Sequence, residues 1–319
     1  IMSLSIEEIE KRVNDSYELD NSVLKAAPNP LVTVRTSTYQ HGPYIKDCIE
    51  GVLMQKVNFN FEFIIGEDFS TDETREIVFE YAKKYPDIIR VFTADYNVGS
   101  KANGTRCIRA ARGKYMALCE GDDYWTDPLK LQKQVDFIES NNNCTLVFHL
   151  ANRINSENKI IGIHGPNINE NHFFFNIDDA IYKSSILVPT NSMLYKMEYV
   201  KNLPEWMMKA PIGDIPLTLL LAHNGSLGFI NQVMSNYRVM SSHSWSRQMH
   251  NNKEKRKTHS LKIKKMWLDF DKWSNGMYSK QISRNSRFQE IQDFKNEIKL
   301  KYPKTFESLK KILNKWKII

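Results

Sequence analysis

The sequence predicts an α/β fold, a Rossmann-like and mostly parallel sheet flanked by helices, with a helical extension at the C-terminus. Three observations predict it. From Leu31 to Leu150, short runs rich in β-branched residues alternate with amphipathic stretches, which is the pattern of βαβ units. Hydroxyl-bearing and acidic residues follow directly on the strand runs, where an open α/β sheet presents its ligand-binding groups. Lys and Arg gather at the end: residues 251–319 carry 19 Lys+Arg against 7 Asp+Glu, a net +12, leaving −5 for the remainder of a chain whose total is +7.

The elements follow in order. SIEEIEKRVNDSYELDNSVLK has helical spacing and ends before Pro28 and Pro30, so residues 1–30 are expected to form a helical arm, packed on the core or loose. LVTVRTSTY reads as the first strand. YIKDCIEGVLMQ aligns Ile45, Cys48, Ile49 and Leu53 on one helical stripe. FEFIIGED is the second strand and STDETREIVFEYAKKYP the next helix, with Ser70 and Glu73 spaced as a capping box and Pro86 as the stop. IRVFTAD, KYMALCE and CTLVFHL are further strands; SKANGTRCIRAAR and LKLQKQVDFIESN are the helices between them. Beyond Leu150 the alternation is lost in an Asn-rich stretch that includes NINENHFFFN. SILVPTNSMLYK then reads as a strand, GDIPLTLLLAHNG as a helix and GFINQVMSNYRV as a strand.

Composition excludes several classes. A chain of 319 residues suits one large domain, or a core of roughly 250 residues with an appendage. Cys48, Cys107, Cys119 and Cys144 lack the spacing of a thiolate metal site and read as small buried hydrophobes in a reducing compartment. With no signal-peptide pattern and no apolar run of roughly 18 residues, a cytoplasmic protein is expected. An acidic body with a cationic tail argues against a nucleic-acid enzyme. No GxGxxG follows any strand, which excludes a Rossmann dehydrogenase.

The most informative segment is EGDDYWTDP, Glu120–Pro128, where three carboxylates fall within four positions as a strand ends. Thr38-Tyr39 and Glu67-Asp68 stand at other strand ends. A carboxylate can accept a ring N–H or ribose hydroxyls directly, but it meets a diphosphate only through a cation. Together these groups suit a nucleoside diphosphate.

VTVRTSTYQ, FIIGEDFSTDETREIV, NVGSKANG, GKYMALCEGDDYWTDPLKLQKQVDFIE and GDIPLTLLLAHNGSLGFINQVMSNYRV, in this order, resemble the bacterial family 2 glycosyltransferases of the GT-A fold, from about Leu31 to Trp245. The resemblance implies an inverting enzyme that moves a sugar from a nucleotide sugar, with a leaning to uridine, to a hydroxyl of a glycan or glycolipid in surface-polysaccharide assembly. It implies Mn²⁺ or Mg²⁺ on Asp122, Glu120 facing the ribose or diphosphate, and Asp68 at the nucleobase. Thr38, Tyr39, Lys101 and Asn103 would line the nucleotide pocket. Asp214 would be the general base, and Arg238 would pair with a phosphate or brace that base. Residues 31–150 would form the donor half, 151–248 the acceptor half and 249–319 a basic extension.

Departures and rival readings stand beside this one. Glu67 and Glu120 occupy places where the family more often has Asp, Ser37 replaces a frequent Pro and Gln40 a frequent Asn. Met240 replaces a frequent His, which weakens any phosphate role for His243. Asp123 reads equally as a cap of the following turn, Asp68 as a helix N-cap, Asp214 as a helix start, and Lys101 and Asn103 as surface residues. Trp125 reads better as a packing residue than as a sugar platform. In the tail, Phe306, Leu309, Leu313 and Trp316 share a stripe flanked by lysines, suited to packing on the body or to an anionic lipid surface. A nucleotidyltransferase and a non-catalytic nucleotide-sugar-binding module are the alternative functions. The first would carry a Gly-rich, Arg-containing loop where TSTYQHGPY stands, and the second is favoured if Asp214 lies far from the acidic triplet.

Overall fold

The computed structural model describes residues 4–20, 28–183, 186–239 and 253–287. The chain divides into two compact units, residues 1–266 and 267–319.

The first unit is built on one mixed sheet whose longest ladders are parallel. Strands β2 (Val32–Thr38), β3 (Phe61–Glu67), β4 (Ile89–Thr93) and β5 (Tyr115–Leu118) run parallel in the order β4-β3-β2-β5. β10 (Leu194–Lys196) lies antiparallel between β5 and β7 (Cys144–Ile154), and β11 (Ser226–Arg238) pairs parallel with β7. β6 (Tyr124–Trp125) closes this edge against β11. Because β10 reverses between β5 and β7, all six long or central strands point the same way. Their carboxyl ends form a single edge.

Helices fill both faces for a reason visible in the strands. Alternate side chains on one face, Val32, Val34, Phe63, Ile65, Tyr115 and Ala117, form a core with Ile45, Cys48, Ile49 and Val52 of α2 (Ile45–Leu53). Val78 of α3 (Thr74–Lys84) and Leu131, Val135 and Ile138 of α5 (Lys130–Glu139) join it. On the opposite face α4 (Ser100–Ala110) approaches β3 so closely that a Cβ on Gly66 would lie 2.3 Å from Asn103 Oδ1 and 2.6 Å from Cys107 Sγ. All four cysteines are buried and unbridged.

The structure corrects several element boundaries. The opening helix, α1 (Ile6–Asn14), ends early, because Tyr17–Glu18 form a short strand, β1, that pairs with β4. Ile9 of α1 is buried against Ala94, Val98 and Ala102. The Ser70/Glu73 capping box does not form. Asp72 Oδ1 instead accepts the Thr74 N–H, while Ser70 Oγ accepts the Gln40 N–H. The Asn-rich stretch is ordered: β8 (Ile160–His164) pairs with β7, β9 (His172–Phe175) pairs with β11, and α6 (Ile177–Tyr182) starts on an Asn176/Asp179 capping box. Most of SILVPTNSMLYK is not strand; a 3-10 turn at Thr190–Ser192 leaves only Leu194–Lys196. Two further helices, α7 (Glu205–Lys209) and α8 (Asp214–Asn224), precede β11.

α9 (Lys253–Trp273) follows, and in the second unit Phe270 stacks on Tyr278 at 5.6 Å. His243 and the tail stripe from Phe306 to Trp316 lie outside the described residues. No helix among the described residues is long and apolar enough to cross a membrane.

At the amino end of the sheet a buried carboxylate ties four segments together. Glu62 accepts the Thr33 hydroxyl at 2.7 Å, the Arg112 N–H at 2.8 Å, and the guanidinium groups of Arg112 at 2.8 Å and Arg90 at 3.0 Å. Burial resists its ionisation, but the Arg112 amide, the Thr33 hydroxyl and the two guanidinium groups outweigh that and hold the carboxyl below its usual range. Such a group stabilises the fold above its unfolded pKa of about 4.3, and the contribution disappears as pH falls through the lower folded value. Glu62→Gln should cost about 2–3 kcal/mol at pH 7, since it removes the carboxylate that pairs with Arg112 and one of the two that face Arg90, which keeps Glu18 at 2.7 Å. The variant should also lack the part of the acid-side loss that this carboxyl causes, read by urea unfolding between pH 3 and 7.

Candidate active site

The carboxyl edge collects most of the groups singled out from the sequence. Thr38 ends β2 and is buried, with its hydroxyl 3.2 Å from His41 Nδ1; Tyr39 beside it is exposed. Asp68 follows β3. Its carboxylate accepts the Val98 N–H at 2.7 Å and the Gly99 N–H at 3.0 Å, so it fixes the turn that leads into α4 and caps no helix of its own. Burial, only partly countered by those N–H groups, raises its pKa.

Asn103 and Lys101 are not surface residues. Asn103 is buried, donates to Gly66 O at 2.8 Å and accepts from Arg106 Nε at 3.0 Å. The Lys101 ammonium donates to Met208 O, and burial, with Lys262 adding to it, lowers its pKa to about 8.

The acidic loop leaves β5 directly over the end of β2. Gly121 is required there, because a Cβ would lie 2.5 Å from Thr38 Oγ1 and 2.7 Å from His41 Nδ1. The three carboxylates then diverge. Glu120 receives Arg35 Nη2 at 2.5 Å. Asp122 is half-buried at the rim. Asp123 is buried; its carboxylate accepts the Arg238 N–H at 2.7 Å, and its own N–H donates to Glu120 O. Burial first, and Asp122 second, push the Asp123 carboxyl well above the usual range. Beneath the loop Trp125 is buried, its indole N–H donating to Asn191 O at 2.9 Å, with the Lys130 ammonium 3.8 Å from its ring centroid.

Arg238, the last residue of β11, fixes the loop from the far side. Its Nε donates to Asp122 O at 2.9 Å, Nη1 to Asn155 O at 2.8 Å and Nη2 to Asn158 Oδ1 at 2.8 Å, and its guanidinium lies 4.2 Å from the Tyr44 ring centroid. The side chain is thus committed to bracing the acidic loop and the β7–β8 turn.

Asp214 is the first residue of α8, and burial raises its carboxyl. Its relation to the acidic loop is read from Tyr237. The pKa of that phenol is raised by burial first, and then by the charges of Asp123, Asp214, Asp122 and Glu120. Four carboxylates from two separate segments therefore act on one phenol. His164 of β8 meets the Tyr237 ring edge-on at 5.4 Å. Asp214 and the triplet thus have Tyr237 as a common neighbour.

Arg35, His41, Tyr44 and the Asn155–Asn158 turn were not picked out from the sequence, and Tyr237 stood out only as the partner of Arg238 in a YR pair. Arg35 did carry a signal, as a charged residue within an otherwise apolar, β-branched run. The others became visible only when distant segments met.

Among the described residues no group of three or more His, Cys, Asp or Glu side chains is arranged to hold a metal ion. The donors present suit a different kind of site, in which one or two carboxylates share an ion with substrate phosphates. Asp122, half-buried after β5, is the residue that would hold such an ion.

Residues 33–203, more than half of the chain, match the family described as Glycosyl transferase family 2. The chain belongs to glycosyl transferase family 2. The family match ends before Asp214 and Arg238. An uncharacterized protein of Mycobacterium tuberculosis is 43% identical over 118 residues, 37% of this chain and 34% of that protein. TuaG of Bacillus subtilis, named for teichuronic acid biosynthesis, is 37% identical over 109 residues, 34% of this chain and 42% of TuaG. The matched segment thus spans about a third of the length of the first of these relatives. TarS 1-349 of S. aureus, crystallised with UDP-GlcNAc, superimposes with a TM-score of 0.55 at 17% identity, over 75% of this chain and 66% of TarS 1-349. That likeness is one of fold, the GT-A fold.

The raised Asp123 carboxyl makes a test. A carboxyl whose folded pKa exceeds its unfolded value destabilises the fold progressively as pH rises from about 3.9 through the raised value. Asp123→Asn still accepts the Arg238 N–H and removes the like charge beside Asp122. Its stability at pH 7 should lie within about 1 kcal/mol of wild type, or above it. The loss of stability with rising pH should flatten, as measured by denaturant unfolding at pH 4 to 8.

Proposed function

We propose that the chain is an inverting, metal-dependent glycosyltransferase that moves a sugar from a UDP-sugar to a hydroxyl of a glycan or lipid-linked acceptor, in the assembly of a bacterial surface polysaccharide. The observation that carries this is that Asp214, which starts α8, and Glu120, Asp122 and Asp123 of the loop at the carboxyl edge of the sheet all act electrostatically on the Tyr237 phenol. Family membership supports the reaction class. The relative named for teichuronic acid synthesis supports the polysaccharide, and the fold neighbour crystallised with UDP-GlcNAc supports the uridine donor.

In this reading Thr38, Tyr39 and Asp68 line the nucleotide side, and residues 31–150 make the donor half. Residues 151–248, with β8, β9 and α8, make the acceptor half. Mn²⁺ or Mg²⁺ held by Asp122 would neutralise the charge that builds on the departing nucleoside diphosphate. Asp214 takes the proton of the acceptor hydroxyl as its oxygen attacks the anomeric carbon. The new C–O bond forms on the face opposite the diphosphate, whose C–O bond breaks, so configuration inverts and the proton rests on Asp214. Burial suits that carboxyl to the task, because a raised pKa makes it a better base near neutral pH.

Nucleoside diphosphates screened by thermal shift with and without Mn²⁺ test the donor reading. UDP should raise the Tm by several degrees only when metal is present, and Asp122→Asn should abolish that dependence. Failure of every nucleotide to shift the Tm would remove the proposal. Asp214→Asn should lower kcat by at least a hundredfold while leaving the affinity for UDP within about twofold; retained turnover would take the base role from Asp214.

A further inference from the structure

Two bulky residues at the ligand edge hold a backbone conformation that disfavours them. Gln40 and Phe69 have φ of 58° and 59°, and both stand two residues beyond strand ends, Thr38 and Glu67, that are register partners in adjacent parallel strands. The loops they occupy are locked together. The Asp68 N–H donates to Thr38 O at 3.0 Å, the Gln40 N–H to Ser70 Oγ at 3.1 Å, the Thr71 and Asp72 N–H groups to Gln40 Oε1 at 2.9 and 3.1 Å, and the Gly42 N–H to Asp72 Oδ2 at 2.9 Å.

This lock accounts for Gln40, whose amide and side chain take part in it. It does not account for the aromatic ring of Phe69. A left-handed φ is costly for a bulky side chain and costs glycine nothing, and Phe69 remains 37% exposed, so part of the ring is left open. The Arg75 guanidinium lies 5.2 Å from the ring centroid, but Arg75 has other anchors in Glu67 at 2.9 Å, Thr93 at 3.1 Å and the Phe79 ring at 5.0 Å. A bulky aromatic held in a left-handed turn and left partly open, at a strand end on the ligand edge, points to contact with a ligand.

We infer that Phe69 is a donor-contact residue whose ring offers the nucleobase a stacking face beside Tyr39. This inference rests on the nucleotide-sugar reading above. Tyr39, 42% exposed at the end of the neighbouring strand, is the second exposed ring of the same interlocked pair of loops. A flat π-surface is the group that holds a base regardless of its hydrogen-bonding edge, so Phe69 supplies affinity while Asp68 and the backbone discriminate among bases.

The test uses the full chain, with UDP and with inorganic pyrophosphate as a probe that lacks the base, both titrated calorimetrically in the presence of Mn²⁺. Phe69→Gly should weaken UDP binding about tenfold and leave pyrophosphate binding within twofold. It should keep or raise the Tm, because glycine relieves the left-handed strain. Phe69→Trp should retain UDP affinity. Wild-type affinity for UDP in Phe69→Gly overturns the inference and leaves the donor reading intact. A parallel loss of Tm, UDP and pyrophosphate binding also overturns it, by showing that the ring only supports the loop. A wild-type chain that binds no UDP removes the donor reading and this role with it.

Discussion

The candidate site depends on one buried cation. Arg238 ends the last long strand, and it reaches three segments that are far apart in sequence: the acidic loop through Asp122 O and Asp123, the β7–β8 turn through Asn155 and Asn158, and the start of α2 through the Tyr44 ring. Guanidinium is suited to this because its donors are fixed in a planar fork, so several carbonyls are held in one plane while the charge stays delocalised. The carboxylates of the loop are met by other groups: Arg35 pairs with Glu120, and the main-chain N–H of Arg238 donates to Asp123.

That arrangement divides like residues into unlike roles. Arg35 neutralises Glu120, burial holds Asp123 toward its neutral form, and Asp122 stays at the rim. A cluster that looks uniform as a string of letters becomes three carboxyl groups in three different surroundings. On the proposed reading, that leaves Asp122 for the ion and Asp214, arriving on a separate helix, for the proton. Separating the two suits the chemistry, because a carboxylate that holds a cation is a poor base.

Much of this was legible because its causes are local. The β-branched runs, the stripe of Ile45, Cys48, Ile49 and Leu53, and the strand-end positions of Asp68 and Asp122 follow from side-chain periodicity and from the rule that parallel sheets bind at their carboxyl edge. The misreadings were local signals overruled by pairing. Tyr17 left its helical pattern to join β4, and the Asn-rich stretch became β8 and β9 because β7 and β11 offered open partners. Ser70 and Glu73 had capping-box spacing, but Gln40, thirty residues away, drew the Ser70 hydroxyl into the lock between loops.

By itself the sequence determined the class of fold, the strands that carry chemistry and the residue types available to a nucleoside diphosphate. These depend on spacing of two or 3.6 residues and on composition within a few positions. Only the tertiary structure decided which carboxylates are buried and which are braced, that Asp214 and the acidic triplet act on the same phenol, and that Phe69 holds a left-handed turn at the ligand edge. Those properties arise from burial and from contacts between residues a hundred or more positions apart, and a linear pattern encodes neither.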